Sequence, residues 1–324
     1  MQKQVFYLLF LLFLSQQVKA QELYPMTEPA STIPKNTLGI RFFGNTYNEV
    51  NRIRNLFALK VMYGLTSKLT IEAIPNISNH HNKELPPEFP THNTPQIGVD
   101  HPYLFNGVDF YAKYRFLSVD GKNSHFRLAV YGEYSALNVA HDEAEPTLLD
   151  DNSGWGAGLI ATYLKNHFSV SFTVGYIHPS KYNGEIPDVI PGLPSIPATI
   201  TYSDGYNYSL SFGYLLFPDA YKSYKQTNWN IYMEFLGKSY NAVQMEVGNV
   251  NPNLPKYPIS VAGNKALQGR QYLEAYPGLQ CILLSDLRID FSVGIPVVNR
   301  SYVHFYPVYN FGVQRYLNFH KKKR

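Results

Sequence analysis

The strongest constraint on this chain is a strict alternation of apolar and polar residues, which recurs in twelve separate segments. In the clearest segment, Phe168 and Phe172 fall on one phase, whereas Ser169 and Ser171 fall on the other. Residues two apart lie on the same face of a β-strand, so this period predicts strands with one apolar and one polar face. The segments are 37–44, 56–63, 68–75, 107–116, 125–137, 155–164, 168–177, 206–216, 229–239, 272–283, 287–297 and 303–319.

Composition supports an ordered, strand-rich chain. Of the 324 residues, 45% are hydrophobic and 15% aromatic, and only 16% are charged. Aromatic residues favour strands, and the 22 glycines and 22 prolines favour turns. Extensive disorder and a helical bundle are both disfavoured.

Charged residues are unevenly divided between the two phases. Arg315 is the single charge on the apolar phase of these segments, whereas the polar phase carries charges of both signs. An apolar face almost free of charge predicts contact with a protein core or with lipid. We expect nine charged residues of the polar phase to line an enclosed interior: Lys60, Asp109, Lys113, Arg115, Arg127, Glu133, Glu234, Arg288 and Asp290.

The connections between the segments decide where the apolar faces point. A soluble sandwich or a lipocalin-like barrel would turn them inward. Here short links alternate with mostly long ones, and both ends of the chain fall on the short-link side, which is typical of bacterial outer-membrane barrels. Lipid offers no hydrogen-bond partner to an unpaired strand edge, so strands that cross it must close into a ring. The sequence therefore predicts an all-β, antiparallel up-and-down transmembrane barrel of about twelve strands, with short periplasmic turns and long extracellular loops.

The chain ends predict export. Residues 5–14 form an apolar run that is too short to span a bilayer, and Ala20 marks a cleavage site after it. We expect a signal peptide at 1–20, an N-terminal periplasmic segment at 21–35, the barrel at 36–319 and a basic periplasmic tail at 320–324. The lone Cys281 excludes an internal disulfide bond.

One short motif resembles a known family. The stretch 63–70, Tyr-Gly-Leu-Thr-Ser-Lys-Leu-Thr, is similar to a strand-turn-strand phrase in transporter-like barrels related to the phenol-degradation MetA-pathway family. At the level of pattern, the mature chain as a whole resembles the outer-membrane β-barrel proteins of Gram-negative bacteria. The resemblance implies a location in the cell outer membrane and insertion by the barrel-assembly machinery, although the final strand departs from the usual signal because residues 320–324 follow Phe319.

Three functions are compatible with this pattern. The first is a passive pore or transporter whose charged lumen selects a small polar or weakly anionic solute. The alternative is a non-conducting structural or adhesion barrel, in which the same charges form salt bridges and the outer loops bind a partner. The third is a lipid-active enzyme; Ser171 with His167 or His178 would be its candidate residues, but no Gly-x-Ser-x-Gly signature surrounds any serine.

The expected partners are outer-membrane lipid and lipopolysaccharide together with a small solute. The chain is close to neutral outside its tail, which disfavours a nucleic-acid partner, and no sequence signature indicates a cofactor. Histidines in the presumed outer loops are weak metal-ligand candidates, because their spacing is not diagnostic. They are His80, His81, His92, His101 and His141.

Overall fold

The computed structural model describes residues 24–80, 100–138, 145–186, 195–218, 226–248, 255–262 and 267–319. These residues form sixteen β-strands. None of the described residues belongs to a helix long and apolar enough to cross a membrane. The signal peptide and the basic tail lie outside the described residues and stay predictions.

Twelve long strands form a closed antiparallel barrel, as the sequence predicts. The ring closes where β1 pairs with β16, with Thr37 opposite Asn318. Its members are β1 (Thr37–Glu49), β2 (Arg52–Gly64), β3 (Leu69–Ser78), β4 (Leu104–Asp120), β5 (Ser124–Leu137), β6 (Gly154–Lys165), β7 (Phe168–Pro179), β10 (Gly205–Phe217), β11 (Asn228–Tyr240), β14 (Arg270–Leu283), β15 (Leu287–Val298) and β16 (Val308–Asn318).

The apolar faces point outward. On β7, Phe168 and Phe172 are exposed on the outer surface, whereas Ser169 and Ser171 between them are buried in the interior. On β15, Ile289 and Phe291 are exposed, and Asp290 between them is buried. A soluble barrel would bury the larger apolar set, so this orientation fits a wall surrounded by lipid.

The final strand is shorter than the sequence predicts. Alternation suggested a strand over 303–319, but β16 begins at Val308. His304 and Tyr306 instead hydrogen bond to Glu274, an inward residue of β14. The apparent alternation before Val308 therefore belongs to a loop that folds over the barrel mouth.

Four short strands outside the barrel were not predicted. They are β8 (Tyr182–Ile186), β9 (Ile196–Thr201), β12 (Gln244–Val247) and β13 (Tyr257–Ile259). Two neighbouring long loops contribute one hairpin each, and pairing of β9 with β12 joins the hairpins into one sheet. Ile200, Met245 and Leu267 are fully buried in its apolar core.

The two rims of the barrel differ. The turns after β2, β4, β6 and β14 are short, and they lie on the same rim as the start of β1 and the end of β16. We call this the short-turn rim. The opposite long-loop rim carries the four-stranded sheet and the loops after β3, β5 and β15.

Candidate functional site: the barrel interior

The chain before β1 enters the barrel. Residues 24–34, which we call the inner segment, hydrogen bond to inward side chains around the wall. The Tyr24 hydroxyl lies 2.6 Å from Ser169 Oγ, and the Ala30 amide donates to Thr162 Oγ1 at 2.8 Å. The sequence predicted a periplasmic segment at 21–35 and gave no sign that residues 24–34 enter the barrel, because their hydrogen-bond partners are far away in the sequence.

Glu28 is the main charged anchor of the inner segment. Its carboxylate accepts hydrogen bonds from Lys60 Nζ and Lys113 Nζ, each at 2.7 Å. Burial alone would raise the pKa of Glu28, but the ammonium groups of Lys113 and Lys60 outweigh burial and hold it well below its usual range. Glu28 is therefore ionised at neutral pH and neutralises wall charge in the lumen.

Glu234 anchors the same segment from the opposite wall. Its carboxylate accepts hydrogen bonds from the amides of Met26 and Thr27, at 3.1 Å and 2.8 Å, and from the Thr27 hydroxyl at 2.8 Å. Because the donors are mostly backbone amides, any residue type except proline could supply them. The sequence of this segment therefore carried little signal for its place in the lumen.

A second segment crosses the lumen near the long-loop rim. Residues 145–152, which we call the cover loop, lie between β5 and β6. Asn76 of β3 donates to the Leu149 carbonyl, and Lys238 of β11 donates to Thr147 Oγ1 at 2.5 Å. Contacts with walls on both sides show that the loop spans the barrel interior.

Two carboxylates fasten the loops at this rim. Glu145 accepts hydrogen bonds from the Tyr272 hydroxyl at 3.0 Å and from the Ser301 hydroxyl at 2.6 Å. Glu274 accepts from His304 Nδ1 at 2.7 Å and from the Tyr276 hydroxyl at 2.7 Å. The carboxylates therefore connect the cover loop, β14 and the loop between β15 and β16.

We call the part of the barrel interior between the inner segment and the cover loop the chamber. On β11, Glu234 contacts the inner segment and Lys238 contacts the cover loop, which separates the two contacts by about 14 Å at 3.4 Å per residue. Several inward side chains at the levels between remain only half-buried; they lie on β7, β10 and β11, which are adjacent, and on β5, which β6 separates from β7. They are Glu133, Thr173, Asn207, Ser209 and Leu236. This wall offers a mainly polar surface to a small molecule.

The nine predicted lumen residues all belong to the inward phase, but most of them engage other protein groups. Asp290 holds Arg41 through two hydrogen bonds of 2.7 Å and 2.8 Å, and Arg288 lies over the Tyr316 ring. Arg127 donates to Ser31 Oγ, and Arg115 donates to the Ser67 carbonyl. Lys60, Lys113 and Glu234 bind the inner segment. Of the remaining two, Asp109 is buried and Glu133 is half-buried.

The weak metal candidates do not come together among the described residues. His80 pairs with Asp150 of the cover loop at 2.9 Å, and His101 is buried elsewhere. His81, His92 and His141 lie outside the described residues. Within the described part of the chain, no group of three or more His, Cys, Asp or Glu side chains is placed to hold a metal ion.

The candidate hydrolase residues are also apart. Ser171 Oγ lies 2.8 Å from Thr162 Oγ1, so its hydroxyl belongs to the polar wall beneath the inner segment. His178 lies at the other end of β7, where it pairs with Asp204. His167 lies in the turn before β7, and its ring contacts Tyr214.

Comparisons with known proteins decide the fold class. No protein-family profile matches the chain, and no curated protein matches it in sequence. An outer membrane channel from Pseudomonas putida F1 covers 91% of this chain and 100% of its own, with a TM-score of 0.52 and 13% identity. The fold is that of an outer-membrane β-barrel.

Two other solved structures are similar to this barrel over most of their length. The Ralstonia pickettii toluene transporter TbuX covers 91% of this chain and 93% of its own, with a TM-score of 0.42 and 10% identity. The β domain of the Bordetella autotransporter BrkA covers 87% and 99%, with a TM-score of 0.41 and 12% identity. The sequence prediction of an outer-membrane β-barrel is confirmed, and at these identities the comparisons show the fold alone.

Proposed function

We propose that this barrel is an outer-membrane channel that passes a small polar solute through its lumen, with the inner segment acting as the gate. The half-buried polar wall between the inner segment and the cover loop carries the proposal. A barrel with a purely structural role gains nothing from keeping Asn207, Ser209 and Glu133 accessible within a closed interior. The resemblance in fold to an outer membrane channel agrees with this function.

The inner segment is suited to a gate because polar and charged contacts hold it. Glu28 and Glu234 anchor it through hydrogen bonds that water can replace when the segment moves. The segment buries three apolar side chains, Tyr24, Ala30 and Ile33, and Ala30 packs near Tyr111 and Ile160. Release of the segment from the lumen would expose these few apolar side chains together with its polar groups.

A reversible crosslink tests the gate. Ala30→Cys and Thr162→Cys, in a Cys281→Ser background, place two thiols on residues that are in contact, since the Ala30 amide lies 2.8 Å from Thr162 Oγ1. In proteoliposome swelling assays, we expect solute entry in the reduced protein and a severalfold lower rate after oxidation. Each single-cysteine variant is the control and should not respond to the oxidant.

The same assay decides between the channel and a non-conducting barrel. The buried Arg41–Asp290 pair and the fastened outer loops favour the non-conducting alternative, since both stiffen the interior. If the reduced double variant and the wild type both fail to admit small solutes, the channel proposal is wrong. Equal swelling in the oxidised and reduced forms would leave the channel but reject the gate.

A further inference from the structure

Three buried oxygen atoms lie on neighbouring strands at the cover-loop side of the chamber. They are Asn76 Oδ1 on β3, Asp109 Oδ1 on β4 and Ser135 Oγ on β5. Their residues are 1%, 4% and 0% exposed, and no described residue donates a hydrogen bond to any of these atoms. Buried acceptors are normally satisfied, so three together indicate a ligand with donors.

The strand register brings these side chains together. Asp109 lies directly opposite Ser135, and Asn76 lies diagonally across from Asp109, being paired with Gly107. Side chains in such positions on one face are cross-strand neighbours, with Cβ atoms about 5 Å apart when directly opposite. The Asn76 amide nitrogen donates to the Leu149 carbonyl of the cover loop, which fixes the amide oxygen as the available acceptor.

A second acidic side chain lies nearby. Glu133 lies two residues before Ser135 on the same face of β5 and is only half-buried. The lysines on either side are engaged, since Lys60 contacts Glu28 and Glu72, and Lys238 donates to Thr147. These contacts direct the ammonium groups of Lys60 and Lys238 to partners other than Asp109 and Glu133.

The acceptors match the chemistry of a primary ammonium group. An ammonium carries one positive charge and three N–H donors, which equals the number of acceptor atoms here. Calcium takes six to eight oxygen ligands, which is more than these side chains supply. The described residues also hold no cluster of three metal-ligating side chains.

We propose that Asn76, Asp109 and Ser135 form a binding site for the ammonium group of a small primary amine, whose remaining atoms lie in the chamber. The binding site is argued from these three residues alone. Only the further statement that primary amines are the solute that passes through the barrel rests on the proposed channel function. The expectation of a weakly anionic solute included Lys60 and Lys113 among the charges that line the lumen, whereas both of them bind Glu28.

Calorimetric titration of the full-length refolded barrel in detergent tests the site, with ethylammonium chloride as the probe. We expect saturable binding of ethylammonium near neutral pH. Potassium and tetramethylammonium, which have no N–H donor, should bind at least about tenfold more weakly. Asp109→Asn should weaken ethylammonium binding by about tenfold, because it removes the charge and keeps the shape. Glu246→Gln, on the exposed face of β12, is the matched control and should bind as the wild type does.

Ser135→Ala supplies a second variant if Asp109→Asn does not refold. The Ser135 hydroxyl makes no hydrogen bond to a described residue, so its loss should spare the fold and weaken ethylammonium binding by about threefold. The proposal is overturned if ethylammonium does not saturate, if potassium binds equally well, or if the variant that refolds keeps wild-type affinity. Calorimetry measures binding independently of transport. If the protein binds ethylammonium but does not conduct solutes, the channel proposal is wrong and the binding site remains.

Discussion

Among single residues, Glu28 has the greatest influence on the state of the lumen. It connects Lys60 of β2 with Lys113 of β4 and ties both strands to the inner segment. The alternation of apolar and polar residues along β2 and β4 predicted that both lysines lie on the inward face. The alternation did not identify Glu28 as their partner, because no local pattern predicts an ion pair between residues 85 positions apart.

Replacing Glu28 tests this anchor. Glu28→Gln removes the carboxylate between the two ammonium groups, although Lys60 keeps Glu72 at 3.3 Å. We expect docking of the inner segment to weaken by about 2–3 kcal/mol, slightly below the range for breaking a fully buried pair. Protease cleavage within residues 24–34 of the folded barrel should accelerate accordingly. Glu246→Gln is the control, and an unchanged cleavage rate in Glu28→Gln would show that the carboxylate does not hold the segment.

The anchor also has a defined dependence on pH. A carboxyl group whose pKa is lowered in the folded protein stabilises it fully above the pKa of a free glutamate, about 4.3. That contribution declines as the pH falls from there towards the lowered value. We therefore expect cleavage of the inner segment to stay slow down to about pH 4.3 and to accelerate below it in the wild type. The Glu28→Gln variant should lack this acid-dependent step, and a step of equal size in the variant would assign it to another group.

For the strands and loops, the sequence was informative where one pattern repeats over a long element. β7 and β15 alternate without interruption, and the structure places both as predicted. Prediction failed before Val308, because His304 and Tyr306 mimic alternation while they bind Glu274. The short strands β8, β9, β12 and β13 were missed because three to six residues are too few to establish a period.

The loop between β15 and β16 should loosen in alkaline solution. Burial alone would lower the pKa of His304, but the neighbouring Glu274 carboxylate outweighs burial and raises it to about 9. A raised pKa stabilises the loop fully below the pKa of free histidine, about 6.5, and the effect is lost as pH rises through about 9. The protection of residues 299–307 against hydrogen exchange, expressed relative to the intrinsic exchange rate at each pH, should fall over that interval.

Two variants check that assignment. His304→Gln should exchange quickly at every pH, since the neutral amide cannot form the ion pair. His178→Gln is the control, because His178 pairs with Asp204 at an exposed position and should leave the loop's pH dependence intact. Persistence of the alkaline step in His304→Gln would contradict the assignment.

At the scale of the whole barrel, the apolar face of each strand decides which side of the wall points to lipid. Phe172 and Thr173 are neighbours on β7, the first exposed on the outer surface and the second facing the lumen. The fold and its outward face were therefore predictable from one sequence. The positions of the inner segment and the cover loop were not, because they depend on contacts such as Glu234 with Thr27 that link distant parts of the chain.

A matched pair of lysine substitutions tests this orientation. Phe172→Lys places a charge against lipid, and we expect it to lower the free energy of unfolding in lipid vesicles by about 2–4 kcal/mol. Thr173→Lys adds the same charge at a half-buried position that faces the lumen, and should lower the free energy of unfolding clearly less. Equal costs in urea titrations of the two refolded variants would contradict the assigned faces.

The sheet formed by β8, β9, β12 and β13 has a consequence for how other molecules meet this protein. Two separate loops share one apolar core, so an antibody that binds this sheet meets a single composite surface. An epitope on it is conformational, and grafting either hairpin alone onto another scaffold should fail to reproduce it. A substitution in the shared core from one hairpin must therefore be matched by a compensating substitution in the other hairpin.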